Sequence, residues 1–344
     1  MAKENGYLTL RSELKAGQLG RAYIFYGPEA YLRDGMLRRV QETLIPAGFE
    51  EFNYHRVSGK DLTINGLQEM VEAMPMMAQA TLTVVEDLDL FHLDDTGRTQ
   101  LMALLEDIPD YATVIFVYDT LEYKRDGKMK KLCAAVDSFV TEVEFAQQDS
   151  RELIKWAQKH FAAAGHTIDS ATVEHLLFTC GSMMTNLAPE IQKIAAYARQ
   201  EKITVEDINA VADPILDAKV FDMTNCITSG DYDKAASVLA DLLRMQTEPI
   251  VVLSIIGKEL RRLYTARMAL DNGKDRFWLK GLWNMSSDYP AKLLMQAARR
   301  VDHDWCSAAV KKARALDRRM KSQRGIDPAG ELKLFLMDLA GEKK

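Results

Sequence analysis

Cysteine is scarce in this chain of 344 residues: Cys133, Cys180, Cys226 and Cys306 stand far apart and form no C-x-x-C pair. That excludes a zinc ribbon in its usual form and leaves a disulfide framework without support, so the four read as small buried residues of a reducing compartment. Long apolar runs are also missing. No stretch reaches the roughly 18 residues of a membrane span, and Met1 to Gly6 has no apolar leader segment. The expectation is a cytoplasmic protein with no membrane partner. Positive charge does not dominate either. The net charge is -6, so no global field attracts nucleic acid, although a local patch still can. The histidines (His55, His92, His160, His166, His175 and His303) are dispersed and make no metal spacing. No G-x-S-x-G or Cys/His dyad signature appears, so neither a metal, a cofactor nor independent catalysis is expected.

What is present is an ordinary globular composition, 47% apolar and 27% charged, in a length that suits two or three domains. Seventeen Met and only nine Pro favour helices. The organising stretch is Tyr23-Ile24-Phe25-Tyr26-Gly27-Pro28-Glu29-Ala30-Tyr31-Leu32-Arg33-Asp34, which reads as strand, glycine turn and helix start. A working phosphate loop is G-x-x-x-x-G-K-[ST], because bare N–H groups, one Lys and one hydroxyl must converge on phosphate and Mg²⁺. Counted from Gly27, the last three slots hold Leu32, Arg33 and Asp34. Leucine's Cβ blocks a close backbone approach, Arg33 lacks lysine's compact ammonium, and Asp34 sets a carboxylate where phosphate belongs. The frame is that of a nucleotide site and the chemistry is not. On the motif alone, an ordinary βα corner is the favoured reading.

Downstream, the run Phe52 to Val57 reads as a strand by alternation, and Leu62 to Met74 as a helix with Leu67, Met70, Val71 and Met74 on one face. Thr81 to Asp87, Thr113 to Tyr118 and Val140 to Phe145 follow as strands, separated by helices over Thr99 to Glu106 and Met129 to Val136. Alternation at this spacing predicts a parallel sheet covered by helices on both faces. From about Gln147 the strands stop. Helical patterns cover Arg151 to Ala164, Ser170 to Thr179, Met184 to Arg199 and Val205 to Val211, with Asp149 or Ser150 as an N-cap and Thr204 with Asp207 as a capping box. Asp213-Pro214 marks a boundary. Beyond it, Val220 to Ser229, Tyr232 to Met245, Pro249 to Asn272, Pro290 to Asp302, Trp305 to Arg324 and Ala329 to Ala340 all read as helices. The expected division is 1–147 α/β, 148–212 small helical, and 213–344 all-helical.

This combination resembles the delta-subunit family of bacterial DNA polymerase III clamp loaders. The resemblance runs in order along the chain: Tyr23 to Leu32 with its G-x-E, then Ala73-Met74-Pro75-Met76-Met77 before the strand Thr81 to Glu86. It continues through Asn186-Leu187-Ala188-Pro189-Glu190-Ile191-Gln192-Lys193, Lys258-Glu259-Leu260-Arg261-Arg262-Leu263-Tyr264, and Asp327-Pro328 ahead of an apolar helix. It implies an AAA+-like (P-loop NTPase-like) α/β domain with a degenerate loop, a helical lid and a helical collar. It further implies a subunit that binds the beta sliding clamp and opens the ring at one interface for loading onto primed DNA. ATP would be hydrolysed by neighbouring subunits. The implied partners are the clamp, the gamma/tau and delta-prime subunits through the collar, and primer–template DNA.

The resemblance assigns clamp binding to Pro75, Met76 and Met77. The family places an aliphatic–aromatic or double-aromatic pair where this chain has Met-Met. From spacing alone Met74, Met76 and Met77 suit a core; with the resemblance Met76 and Met77 become the exposed pair, while Met74 stays with the Leu67 face. Val84-Val85-Glu86-Asp87 lies where an ATPase keeps its acidic pair, but the order is inverted and no loop Lys supports it, so it reads as a strand's polar exit. No serine-arginine-cysteine stretch offers an arginine finger. From Arg299 to Arg324 nine Lys or Arg face three Asp, with Lys311, Arg314, Arg318 and Lys321 on one helix face and Arg324 in the following turn. A solvated face and a sequence-independent contact to DNA phosphates suit this stripe equally. Trp278 and Trp283 suit base stacking or, more simply, collar packing. Two other functions stay open: an active AAA+ ATPase with an aberrant loop, and a helical interaction scaffold unrelated to replication.

Overall fold

A computed structural model describes residues 6–244, 247–285, 287–323 and 325–341. It forms two compact units, one of residues 1–148 with Met183–Thr185, the other of 149–182 with 186–344. In the first, α1 (Gly6–Ala16), β1 (Ala22–Tyr26), α2 (Ala30–Leu44), α3 (Glu50–Asn53) and β2 (Tyr54–Ser58) are followed by α4 (Ile64–Glu72) and β3 (Thr81–Glu86). The chain continues through α5 (Asp95–Glu106), β4 (Ala112–Val117), α6 (Lys130–Phe139) and β5 (Thr141–Glu144). The sheet is five-stranded in the order β2-β3-β4-β1-β5, and every pairing is parallel.

Successive strand residues point to opposite faces, and each face has its own core. On one, Ala22, Ile24, Val114 and Phe116 pack with Leu67, Val71, Leu101 and Val136 from α4, α5 and α6. On the other, Tyr23, Phe25, Ile115 and Val117 pack with Leu10, Met36, Leu37 and Val40 from α1 and α2. That double cover accounts for the near-continuous apolar sequence of β1 and β4. The run Phe52 to Val57 is not a strand throughout: Phe52 and Asn53 close a helical turn, and the strand begins at Tyr54. The turn sends Asn53 fully inward.

The second unit is helical among the described residues apart from an isolated bridge between Thr167 and Lys202. Its elements are α7 (Ser150–Ala163), α8 (Ser170–Cys180), α9 (Met184–Tyr197, its first two residues counted with the first unit), α10 (Val205–Val211), α11 (Leu216–Ser229) and α12 (Tyr232–Arg244). They are followed by α13 (Pro249–Asp271), α14 (Arg276–Leu282), α15 (Tyr289–Ala298), α16 (His303–Ser322) and α17 (Pro328–Gly341). Asp149 caps α7 and the Thr204–Asp207 capping box opens α10. The short α14 has no counterpart among the helices expected from the sequence pattern. Met245 and Arg324, the expected ends of two helices, lie outside the described residues. The N-L-x-x-E-I-x-K segment serves the architecture, for Lys193 Nζ bridges Glu190 (2.9 Å) and Asp213 (2.6 Å), and Asp213 N–H donates to Glu190 (3.1 Å). This ties α9 to the start of the Asp213-Pro214 connection.

The long α13 is the axis of the helical unit. It packs on α11, α15, α16 and α17, and Leu253, Ile256, Leu260 and Leu263 are buried along it. Leu263→Ala is expected to destabilise this unit by about 2–5 kcal/mol, the range for a buried leucine whose cavity cannot collapse. Denaturant unfolding followed by circular dichroism measures it.

Candidate functional site

The turn after β1 is closed by the chain itself. Gly27 has φ +112°, and a Cβ there would meet the Phe145 carbonyl oxygen at 2.6 Å. Glu29 N–H donates to that same oxygen at 3.0 Å, and Phe145 N–H donates to Tyr26 O at 2.7 Å. The backbone that would cradle a phosphate therefore lies against Phe145. Leu32, on α2, packs against the sheet core. Arg33, in the lysine slot, is buried rather than aimed outward: Nη1 donates to Tyr118 O at 3.2 Å and Nη2 pairs with the Asp119 carboxylate. Asp34 is exposed, 3.6 Å from Arg33 Nε.

Two further acids at this edge are engaged. The buried Glu29 carboxylate accepts the Met184 N–H at 3.1 Å, both residues belonging to the first unit. Burial raises its pKa, against the lowering effect of the Met184 and Thr185 N–H groups. Asp87, at the end of β3 with φ +54°, accepts N–H groups from Asp119 (2.8 Å), Thr120 (3.0 Å) and Leu121 (3.1 Å). The Thr120 hydroxyl adds a bond at 2.6 Å. Burial alone would raise the Asp87 pKa, but these donors, Thr120 foremost, hold it below the ordinary value. Its neighbour Glu86 pairs with Arg56, whose Nε lies at 2.9 Å. The acidic pair thus braces the ends of the strands. Among the described residues, no group of three His, Cys, Asp or Glu is arranged to hold a metal ion.

The loop of residues 73–80 has the opposite character. Met74 is 80% exposed, Met76 55% and Met77 83%, with Pro75 half-buried between them. Met74 was expected on the core side and is not. Helix α4 ends at Glu72, so the helical spacing that aligned Met74 with Val71 no longer applies, and the chain turns outward before Pro75. Met77 sits at φ +53°, a left-handed conformation uncommon for a side chain of this kind. Tyr111 brackets the loop: its hydroxyl donates to Glu72 O (2.9 Å) and its carbonyl accepts Thr81 N–H (2.8 Å). In the middle, buried Asn53 accepts Met76 N–H at 2.8 Å and donates to Met76 O at 2.9 Å. The sequence pattern singles out neither Asn53 nor Tyr111. The available signal was a lone amide in a run otherwise suited to a strand, where Asn is disfavoured.

On α16 the four expected cations, Lys311, Arg314, Arg318 and Lys321, are all exposed, while Ala309, Ala313 and Leu316 are buried on the other face. Lys321 pairs with Asp317 at 2.8 Å and Arg319 with Glu331 at 2.6 Å. Lys311, Arg314 and Arg318 form no ion pair among the described residues. Arg324 lies outside the described residues. Trp283 packs on the helical core beneath the Arg262 guanidinium, 5.5 Å from its ring centre, whereas Trp278 is 42% exposed.

Two family models match the chain: "DNA polymerase III, delta subunit" over residues 23–142, and "DNA polymerase III delta subunit, C-terminal domain" over 217–339. The DNA polymerase III subunit delta of Bacillus subtilis (strain 168) is 22% identical over 336 residues, spanning 95% of this chain and 94% of that protein. A probable DNA polymerase III subunit delta of Aquifex aeolicus (strain VF5) is 28% identical over 165 residues, 47% of each chain. In fold, the chain is similar to the Bacillus subtilis DNA clamp loader delta protein (YqeN), with a TM-score of 0.54 at 20% identity over 97% of this chain and 99% of that one.

The depressed pKa of Asp87 has a pH signature. A carboxylate whose native pKa lies below its unfolded value adds stability that is complete above the unfolded value, near 3.8, and is lost as pH falls through the native one. Asp87→Asn is therefore expected to be less stable than wild type at neutral pH, with the gap closing below about pH 4. Urea midpoints of both proteins between neutral and strongly acidic pH measure this.

Proposed function

The chain belongs to the delta-subunit family of the DNA polymerase III clamp loader, and from that premise we propose that it binds the beta sliding clamp through Pro75, Met76 and Met77 and opens the ring for loading onto primed DNA. The observation that carries this reading is the outward projection of Met76 and Met77 from a loop fixed at its ends and middle. Mechanically, a subunit that fits the open clamp interface better than the closed one shifts the ring toward opening by the difference in its binding free energies. No covalent step is needed.

The same reading makes this subunit a non-hydrolysing component of the polymerase complex. The loop cation is turned onto Asp119, the loop backbone is bonded to Phe145, and Asp87 is occupied by backbone donors. An active ATPase would need each of these groups released, which argues against that alternative. The scaffold alternative requires Met76 and Met77 to be covered, which their exposure disfavours. Residues 148–212 are assigned as a lid and 213–344 as the collar that joins gamma/tau and delta-prime. Lys311, Arg314 and Arg318 offer phosphate contacts to primer–template DNA, sequence-independent and weakened by salt; Lys321, paired with Asp317, contributes less. The work is done in the cytoplasm.

Calorimetric titration of the full chain with the cognate clamp tests the proposal. Met76→Ala/Met77→Ala is expected to weaken binding at least tenfold, about 1.4 kcal/mol or more, and ATP is expected to leave the wild-type affinity unchanged. A folded wild-type chain that ignores the clamp overturns the reading.

A further inference from the structure

We infer that Asn53 is the positioning residue of the apolar loop, setting the backbone from which Met76 and Met77 project; the inference rests on the clamp-docking reading above. Asn53 is fully buried at the end of α3, on a different element from the loop it holds. Its carboxamide is used at both ends: Oδ1 accepts Met76 N–H at 2.8 Å, and Nδ2 donates to Met76 O at 2.9 Å and to Phe49 O at 2.9 Å. A primary amide that grips one residue's N–H and C=O together copies the pairing of a neighbouring β-strand. It fixes the peptide units on both sides of Met76, not only a position. The orientation of the amide is set by this network, because swapping its oxygen and nitrogen would oppose donor to donor and acceptor to acceptor.

The clasp explains two otherwise separate facts. Met76 and Met77 are both exposed, so side-chain burial holds this part of the loop only weakly. Yet Met77 keeps φ +53°, a conformation that persists in a bulky residue only when its surroundings determine it. Fixing the Met76 carbonyl fixes the peptide unit leading into Met77, one of the two planes between which its strained dihedral is set. With Tyr111 holding the ends, ordering of the loop is completed on folding. A docking partner then has only the methionine side chains left to immobilise.

Hydrogen exchange and calorimetry together test this on the full chain. In the free wild type the Met76 amide is expected to be protected, although its side chain faces solvent; exchange at the rate of an open loop overturns the inference without any variant. Asn53→Ala should lose that protection and bind the cognate clamp about tenfold more weakly, ~1.4 kcal/mol. Its effect should shrink when introduced into Met77→Ala, because the two act through one contact. Undiminished clamp affinity in Asn53→Ala, or an equal loss in both backgrounds, overturns the positioning role while leaving the docking reading intact. A protected Met76 amide in a wild-type chain that does not bind the clamp fails the docking reading instead, and Asn53 is then only architecture.

Discussion

Two backbone hydrogen bonds between the turn after β1 and Phe145, Glu29 N–H to Phe145 O and Phe145 N–H to Tyr26 O, set the character of the edge where a nucleotide site would lie. They draw the chain just beyond β5 over the place where a phosphate would otherwise enter. Only glycine fits at position 27 under that carbonyl. Once the turn is closed, α2 starts where Arg33 points inward to Asp119, and the Asp87 carboxylate is left to gather the amides of 119–121. Every group that resembles a nucleotide ligand has become a brace. Closure of the loop and the inward turn of Arg33 are one arrangement.

The exposed loop divides its labour differently. Its side chains are methionines, unbranched and polarisable, able to fill an irregular apolar surface. Its backbone is held by Tyr111 and Asn53. Soft side chains on a fixed main chain reconcile adaptability with a low entropic cost of ordering.

Much of this was legible in the sequence. β-favouring runs at Tyr23 to Tyr26 and Thr81 to Asp87, and the near-continuous apolar run at Thr113 to Tyr118, identified β1, β3 and β4. The exposed pair at Met76 and Met77 came from the family resemblance, since spacing alone favoured burial. What sequence did not reveal depends on where the chain leaves regular structure. Helical spacing carries Met74 onto the Leu67 face, but the helix stops at Glu72 and the residue swings into solvent. Alternation over Phe52 to Val57 suits a strand, and a tertiary demand, the burial of Asn53 against Met76, overrides it. Long-range partners such as Tyr111 with Glu72, or Arg33 with Asp119, leave no local trace.

The strand order also bears on how the molecule is made. β1 is the first strand to emerge from synthesis, yet its neighbours in the sheet are β4 and β5, the last two. Until β4 has been added, Tyr23 to Tyr26 have no strand to pair with, and until Phe145 follows, the turn at Gly27 has no carbonyl to close against. β2 and β3 can associate earlier, since they are adjacent in both sequence and sheet. The apolar first strand therefore waits, unpaired, through most of the unit's translation, a long-range closure of the kind that slows folding and leaves an edge open to wrong partners.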